Sequence, residues 1–255
     1  MAEEDPKGPG GPISLSFSGS GFLVNYQIGV VQALWELAPE IMRSTSKVYG
    51  ASCGSVVAAA VACDVDIGKE EEFFHEAMEE ARKASSLTLC PGYRMLRIIE
   101  KRMRQIMSEN SHQLASGKLC ISLTRLLDLQ NVIISEYRSK EELIQVMVAL
   151  FPMYLKEEEG PQERYMDGGM TNVQPGSDSE TMITVSPYTG EVDICPRDFG
   201  NIVIAAYRGP VFAIGMTILY NAEWFPLQVL HEFYLRGYHD AVFFLQRHSK
   251  CYKDW

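Results

Sequence analysis

Ser52 stands in Gly50-Ala51-Ser52-Cys53-Gly54, a G-x-S-x-G with the spacing of a nucleophile elbow. A serine there sits on a sharp turn between a strand and a helix, and its hydroxyl is thrust out of the turn. Small neighbours let the backbone bend tightly and let strand and helix pack close. A serine hydroxyl is a poor nucleophile until a base takes its proton. Acyl transfer also develops an oxyanion, which needs preorganised N–H donors, each worth on the order of 10²–10³ in rate. The sequence supplies candidates for all three parts. Ser52 is the nucleophile, and the amides of Gly19, Ser20, Gly21 and Phe22 are the donors. The base is Asp167, followed by Gly168 and Gly169, or a histidine among His231, His239 and His248. Cys53 is a second nucleophile candidate, although a small residue in the first turn of the helix is its simpler reading.

Strands and helices must position these groups. Ile13 to Ser18 alternates apolar and polar residues, a strand pattern, and runs straight into Gly19-Ser20-Gly21. Phe22, Leu23, Tyr26, Ile28, Val30, Val31, Leu34 and Leu37 then recur at helical spacing, and Pro39 ends the helix. Strand, glycine turn and helix place a row of N–H groups at a helix N-terminus, where negative charge is stabilised. The alternative is an ordinary tight βα turn. A dinucleotide site would want a third glycine where Val24 stands, and an acidic residue after the second strand. Instead the second strand, around Ser46 to Tyr49, ends at the Ser52 turn, and Val56 to Cys63 reads as a buried helix.

Further along, Lys69 to Ala84 reads as an acidic helix with Phe73, Phe74, Ala77 and Met78 inward. Tyr93 to Met107 reads as a basic amphipathic helix whose Arg94, Arg97, Lys101, Arg102 and Arg104 face solvent or lipid headgroups. Lys118–Thr124 and Asn131–Ser135 pair as a hairpin. Ser139 and Glu142 form a capping box for a helix from Glu141 to Leu150, which Pro152 stops. A charged loop, Glu157 to Gln162, precedes Asp167-Gly168, itself a turn dipeptide. Thr181–Ser186 is a strand, Asn201–Ala206 one more, and the aromatic-rich remainder is helical with a break at Pro226. Strands alternate with helices early and pair locally in the middle, which predicts α/β in one domain over residues 13–250. Residues 1–12, rich in proline, glycine and charge, are expected to be disordered.

Composition narrows the function. Net charge is −10, from 33 acidic against 23 basic side chains, which argues against a nucleic-acid surface and against purely electrostatic docking on anionic lipid. An apolar contact with a membrane or a lipid droplet stays open, with the run from Pro210 to Tyr220 plus Trp224 and Phe225 as its candidate. No run reaches the ~18 apolar residues of a spanning helix, and no apolar segment of signal-peptide type follows Met1. The six cysteines match no zinc spacing and read as reduced cytosolic thiols, so no metal site is expected.

Three segments in this order resemble a family. Phe17-Ser18-Gly19-Ser20-Gly21-Phe22-Leu23, Gly50-Ala51-Ser52-Cys53-Gly54-Ser55 and Asp167-Gly168-Gly169 are similar to the glycine-rich oxyanion loop, the G-x-S-x-G and the D-G-[GA] of the patatin-like phospholipases. Ile121-Ser122-Leu123-Thr124, Val185-Ser186-Pro187, Asp193-Ile194-Cys195-Pro196 and Arg236-Gly237-Tyr238 resemble the animal adiponutrin / adipose triglyceride lipase branch, nearest to its acylceramide-synthesis member. The resemblance implies a three-layer α/β/α sandwich with a mostly parallel central sheet. It implies a dyad in which Asp167 takes the proton of Ser52 directly, with Gly168 and Gly169 allowing the close approach. It implies apolar acyl esters as substrates, such as triacylglycerol or phospholipid, by hydrolysis or transacylation. No metal or organic cofactor is implied, and the implied location is cytoplasmic, at the surface of lipid droplets or membranes. The chain departs from the pattern twice: Val24 replaces a glycine, and the segment from Leu155 to Arg164 is shorter and more charged. A catalytically weak lipid- or partner-binding protein is the alternative that the second departure raises.

Overall fold

Strand β1 (Ile13–Phe17) is buried at all five residues. Its apolar residues Ile13, Leu15 and Phe17 alternate with Ser14 and Ser16, so both faces of the strand are covered. The serine face is satisfied from within: Gln174 Nε2 donates to Ser16 Oγ at 2.7 Å. The computed structural model describes residues 12–67, 73, 91–149, 153–155, 163–176, 181–197 and 227–248. The leading segment 1–11, the acidic helix at 69–84 apart from Phe73, Pro152, the charged loop at 157–162, the strand at 201–206, the apolar run at 210–220, Trp224, Phe225 and Pro226 lie outside them.

After β1 the chain makes a 3-10 turn (Gly21–Leu23) and enters α1 (Val24–Leu37). Pro39, expected only to stop α1, also opens the short α2 (Pro39–Ser44). Proline fits a first helical turn, where its N–H would have no partner and its φ is already helical. β2 (Thr45–Ala51) returns parallel to β1. α3 (Cys53–Ala62) is buried at every residue, as its Ala/Val sequence requires. α4 (Pro91–Ile106) and α5 (Ser111–Ala115) lead to β3 (Leu119–Arg125), parallel to β2.

The described part of the basic face expected on α4 is exposed at Arg97, Lys101 and Arg104, and two of its arginines also find acidic partners. Arg104 bridges Glu100 at 2.7 Å and Glu141 at 2.6 Å, and Arg97 pairs with Glu100 at 3.0 Å. Glu141 belongs to α6 (Lys140–Met147), where Ser139 Oγ accepts the Glu142 N–H at 3.1 Å, the expected cap. α7 (Leu227–His248) packs along α1, with Tyr26 Oη donating to Asp240 Oδ2 at 2.8 Å and Tyr238 Oη to Glu36 Oε2 at 2.7 Å.

The other strands are β4 (Asn131–Ile134), β5 (Met153–Leu155), β6 (Glu163–Asp167) and β7 (Thr181–Val185). Hydrogen bonds link β5-β6-β3-β2-β1-β7, with β4 also paired to β3, in one seven-stranded sheet. β7, β1, β2 and β3 are parallel. β4 and β6 run against β3, and β5 runs against β6, so five of the seven strands point one way. Helices flank this mostly parallel sheet as an α/β/α sandwich, its core drawn from α1, α3, β1, β2 and β3.

Strand register sets the position of the site. β2 pairs with Leu119 to Ser122 of β3, and β4 pairs with Ile121 to Thr124. A strand residue has one neighbour on each edge, so β2 and β4 lie on opposite edges. β6 pairs with Leu123 to Arg125, overlapping β4, and so shares the edge of β2. β2 running one way and β6 running the other therefore meet end to end. Ala51 stands opposite Ser122, and Asp167 stands opposite the next residue, Leu123.

Candidate active site

Ser52 follows directly on Ala51 at the end of β2. Its backbone has φ 52° and ψ −132°, a conformation L-residues rarely adopt, costing on the order of 1–3 kcal/mol. The buried strand on one side and the buried helix on the other hold it there. α3 begins at Cys53, so the serine lies at the positive end of a helix dipole. The glycine at 54 has a steric cause: a Cβ would stand 2.3 Å from the Ser18 carbonyl oxygen. Only a bare Cα lets the first turn of α3 rest on the loop that leaves β1. That contact brings the Gly19–Gly21 loop beside the elbow, and an added Cβ at Gly19 would lie 3.4 Å from Ser52 Cβ.

Asp167 arrives from the other direction, as the last residue of β6. Its carboxylate lies close enough to Ser52 for the two side chains to influence each other, and the Gly169 N–H donates to Oδ1 at 2.8 Å. Burial raises the Asp167 carboxyl above the usual aspartate range, and the Gly169 N–H and then the nearby Ser52 hydroxyl pull against it. Such a carboxylate is a stronger base than an exposed one. Its main chain is fixed from below: Thr124 Oγ1 donates to the Asp167 carbonyl at 2.8 Å. Asn131 Nδ2 ties Ser122 Oγ at 2.8 Å and Thr171 Oγ1 at 2.9 Å. The charged loop expected at 157–162 lies outside the described residues; on either side of it stands the β5–β6 ladder, Met153 opposite Tyr165, which leads Asp167 into place.

The four expected oxyanion donors divide. Gly19 donates its N–H to Val173 O at 2.8 Å and is already engaged, so its contribution is the space beside Ser52. The N–H groups of Ser20 and Gly21 have no acceptor among the described residues. Phe22 continues the loop into the 3-10 turn. Two residues missed in the sequence shape this loop. Gln27, fully buried on α1, donates from Nε2 to Ser18 O at 2.8 Å and accepts from Ser20 Oγ at 3.3 Å. Its signal was present, a glutamine amid the buried stretch from Tyr26 to Val31. Tyr188 Oη donates to Ser20 O at 3.5 Å, and burial raises its phenol well above the ordinary value.

The other candidates are not brought into the site. His248 Nδ1 meets the Phe244 carbonyl at 2.9 Å, His231 stacks on Tyr234 and His239 lies edge-on to Tyr238, all within α7. Burial, and then the Asp167 charge, push the Cys53 thiol up to about 12. It is protonated at neutral pH and unsuited to attack. Among the described residues no cluster of His, Cys, Asp or Glu could hold a metal ion, and no helix is long and apolar enough to cross a membrane.

Known proteins share this arrangement of sequence. The profile of the patatin-like phospholipase family matches residues 15–175, well over half of the chain. The omega-hydroxyceramide transacylase of Mus musculus is 38% identical over 264 residues, covering 100% of this chain and 44% of that protein. The patatin-like phospholipase domain-containing protein 2 of Homo sapiens is 38% identical over 92% of the chain and 49% of its own length. The 1-acylglycerol-3-phosphate O-acyltransferase PNPLA3 of Homo sapiens is 34% identical over 93% and 51%. The chain thus spans about half the length of these curated relatives. With the three glycine-bearing segments gathered at one end of the sheet and the profile running through all of them, the chain belongs to the patatin-like phospholipase family.

Proposed function

We propose that the protein is a serine lipid acyl hydrolase or transacylase working through a Ser52–Asp167 dyad. The observation that supports this reading is the end-to-end meeting of β2 and β6, which sets Ser52, on its strained elbow, beside the buried carboxylate of Asp167. Ser52 Oγ attacks the ester carbonyl carbon while its proton passes to Asp167. The tetrahedral oxyanion takes N–H bonds from the loop of Ser20, Gly21 and Phe22 and faces the N-terminus of α3. Collapse expels the alcohol, which recovers the proton from Asp167, and leaves an acyl-serine. Water then completes hydrolysis, or an acceptor hydroxyl completes transacylation, with Asp167 taking the proton of the incoming group and returning it to Ser52 Oγ as the acyl–serine bond breaks. No metal or organic cofactor enters these steps.

The relatives include a transacylase and an acyltransferase by name, which supports acyl transfer as well as hydrolysis. The substrates are apolar acyl esters such as triacylglycerol or phospholipid, met from the cytoplasm at the surface of droplets or membranes. Residues 13–250 form the catalytic unit.

The test is covalent labelling by a serine-reactive fluorophosphonate. The parent protein labels, Ser52→Ala does not, and Asp167→Asn labels about 10²–10⁴ more slowly. Labelling that persists in Ser52→Ala refutes the assignment. A folded parent that never labels points to a lipid- or partner-binding protein without catalysis.

A further inference from the structure

The hairpin joining β3 to β4 carries an arrangement that water disfavours twice over. Leu127 is 82% exposed, more than any other large apolar side chain among the described residues, and Leu129 is 60% exposed. Leu129 also has φ +56°, in the left-handed region where glycine or asparagine is the ordinary choice. A branched apolar side chain there is strained and unprotected, so the turn itself gains nothing from it. The tip is nonetheless well built. Leu129 N–H donates to Arg125 O, and Arg125 N–H to Gln130 O, both at 2.9 Å. Arg125 grips Asp128 with two hydrogen bonds, at 3.0 and 2.7 Å. The two leucines are thus presented on a fixed support.

The tip also lies at the catalytic end of the sheet. β3 passes Asp167 at Leu123 and continues to Arg125 before turning. Leu127 is four residues beyond that rung, within roughly 13 Å along an extended strand. Met170, 36% exposed, stands on the turn that follows Asp167 at the same end.

Charge selects among surfaces. The protein carries −10, and the two charges of the tip, Arg125 and Asp128, neutralise each other. The next cation–acid contact, Arg125 to Glu163 at 3.9 Å, adds no positive excess. The paired charges of such a tip, with Arg164 on the neighbouring strand a further cation beside it, match an uncharged, apolar surface better than an anionic one.

We infer that the β3–β4 tip, through Leu127 and Leu129, docks the protein on a neutral acylglycerol surface and sets the mouth of the Ser52 site against it. This rests on the proposed lipid substrate. The experiment is flotation with a triolein emulsion coated with phosphatidylcholine, with phosphatidylserine vesicles in parallel. All proteins carry Ser52→Ala, so that binding is read without turnover and the catalytic reading can fail separately, in the fluorophosphonate assay.

The expected result is co-flotation with the emulsion and little with the anionic vesicles. Leu127→Ser with Leu129→Asn lowers the emulsion-bound fraction about tenfold. Asparagine accepts the left-handed backbone, so this variant melts no lower than its parent, which separates lost docking from lost folding. The inference is overturned if the variant floats like its parent, or if the parent fails to float. It is overturned equally if anionic vesicles bind as well as the emulsion. It is also overturned if the parent is a dimer that the variant dissolves without any emulsion binding, which makes the tip a contact between copies.

Discussion

Replacing Gly168 by alanine tests how tightly the two halves of the site are joined. A Cβ at this position would stand 2.0 Å from the carbonyl oxygen of Ser122, 2.2 Å from its carbonyl carbon and 2.4 Å from its Oγ. An ordinary contact needs about 3.4 Å, so roughly 1.4 Å must be found. Ser122 has little to give, being paired with Ala51 on one edge and Ile133 on the other. The displacement therefore falls on the end of β6 and on Asp167. A shift of about 1 Å in a reacting group costs on the order of 10² in rate, or about 2.7 kcal/mol in the barrier. Gly168→Ala is expected to slow fluorophosphonate labelling and p-nitrophenyl butyrate hydrolysis by at least that factor. Gly169→Ala is the control: its Cβ comes no closer than 3.2 Å, to Oδ1 of Asp167, a contact relieved by a few tenths of an ångström. Its loss should stay below about tenfold. Melting curves establish that both variants are folded at the assay temperature. A folded Gly168→Ala within threefold of the parent, or a Gly169→Ala equally impaired, refutes the placement of Asp167.

Further outcomes follow from other contacts. Asp167 must be ionised to act as base, and its carboxyl lies above the usual range. kcat/KM should then fall on the acid side through an apparent pKa above the ordinary aspartate value, as a pH–rate profile measures. The same shift has an opposite sign for stability. The folded state favours the protonated form, so its stabilisation is present at low pH and lost as pH rises through the raised pKa. Asp167→Asn should accordingly melt no lower than the parent at pH 7 while losing activity. Gln27→Leu removes the anchors of Ser18 and Ser20. It should lower kcat about tenfold with little change in KM, in steady-state kinetics on a soluble ester. Tyr26→Phe leaves buried Asp240 without its 2.8 Å donor. It should cost about 1–3 kcal/mol in denaturant unfolding, with labelling of Ser52 retained.

The elbow, the glycine loop and Asp167 were legible because their chemistry dictates residue types. A sharp turn, a close backbone contact and a base each leave a mark that survives without coordinates. β1, α1, β2 and α3 were legible from periodicity, and Ser139 announced α6. What stayed hidden depended on distant partners. Gly19 looked like a donor until Val173, far along the chain, was seen to take its N–H. Arg97 and Arg104 of α4 face solvent as expected, but their counter-charges, Glu100 and, for Arg104, Glu141, could not be named from the sequence. β5, with three residues, is too short to show a period. Its pairing with β6 exists only because β3 offers the edge that β2 vacates at Ala51. The physical reason for D-G-[GA] was likewise invisible. Gly168 lies against the Ser122 backbone, whereas a Cβ on the second glycine would come no nearer than 3.2 Å to any neighbour.

The end-to-end meeting of β2 and β6 also has a consequence in time. Ser52 leaves the ribosome 115 residues ahead of Asp167. At about 5–20 residues per second this is an interval of roughly 6–23 s. On the proposed dyad, the serine is an ordinary alcohol throughout that interval, because its base has not yet been synthesised. The strand that brings the aspartate needs β3 already in register, so the last chemical component is also among the later pieces of the sheet to assemble. A nascent or truncated chain can own the elbow, the helix and the glycine loop and still be inert toward the membranes around it. Reactivity is withheld until the fold certifies itself.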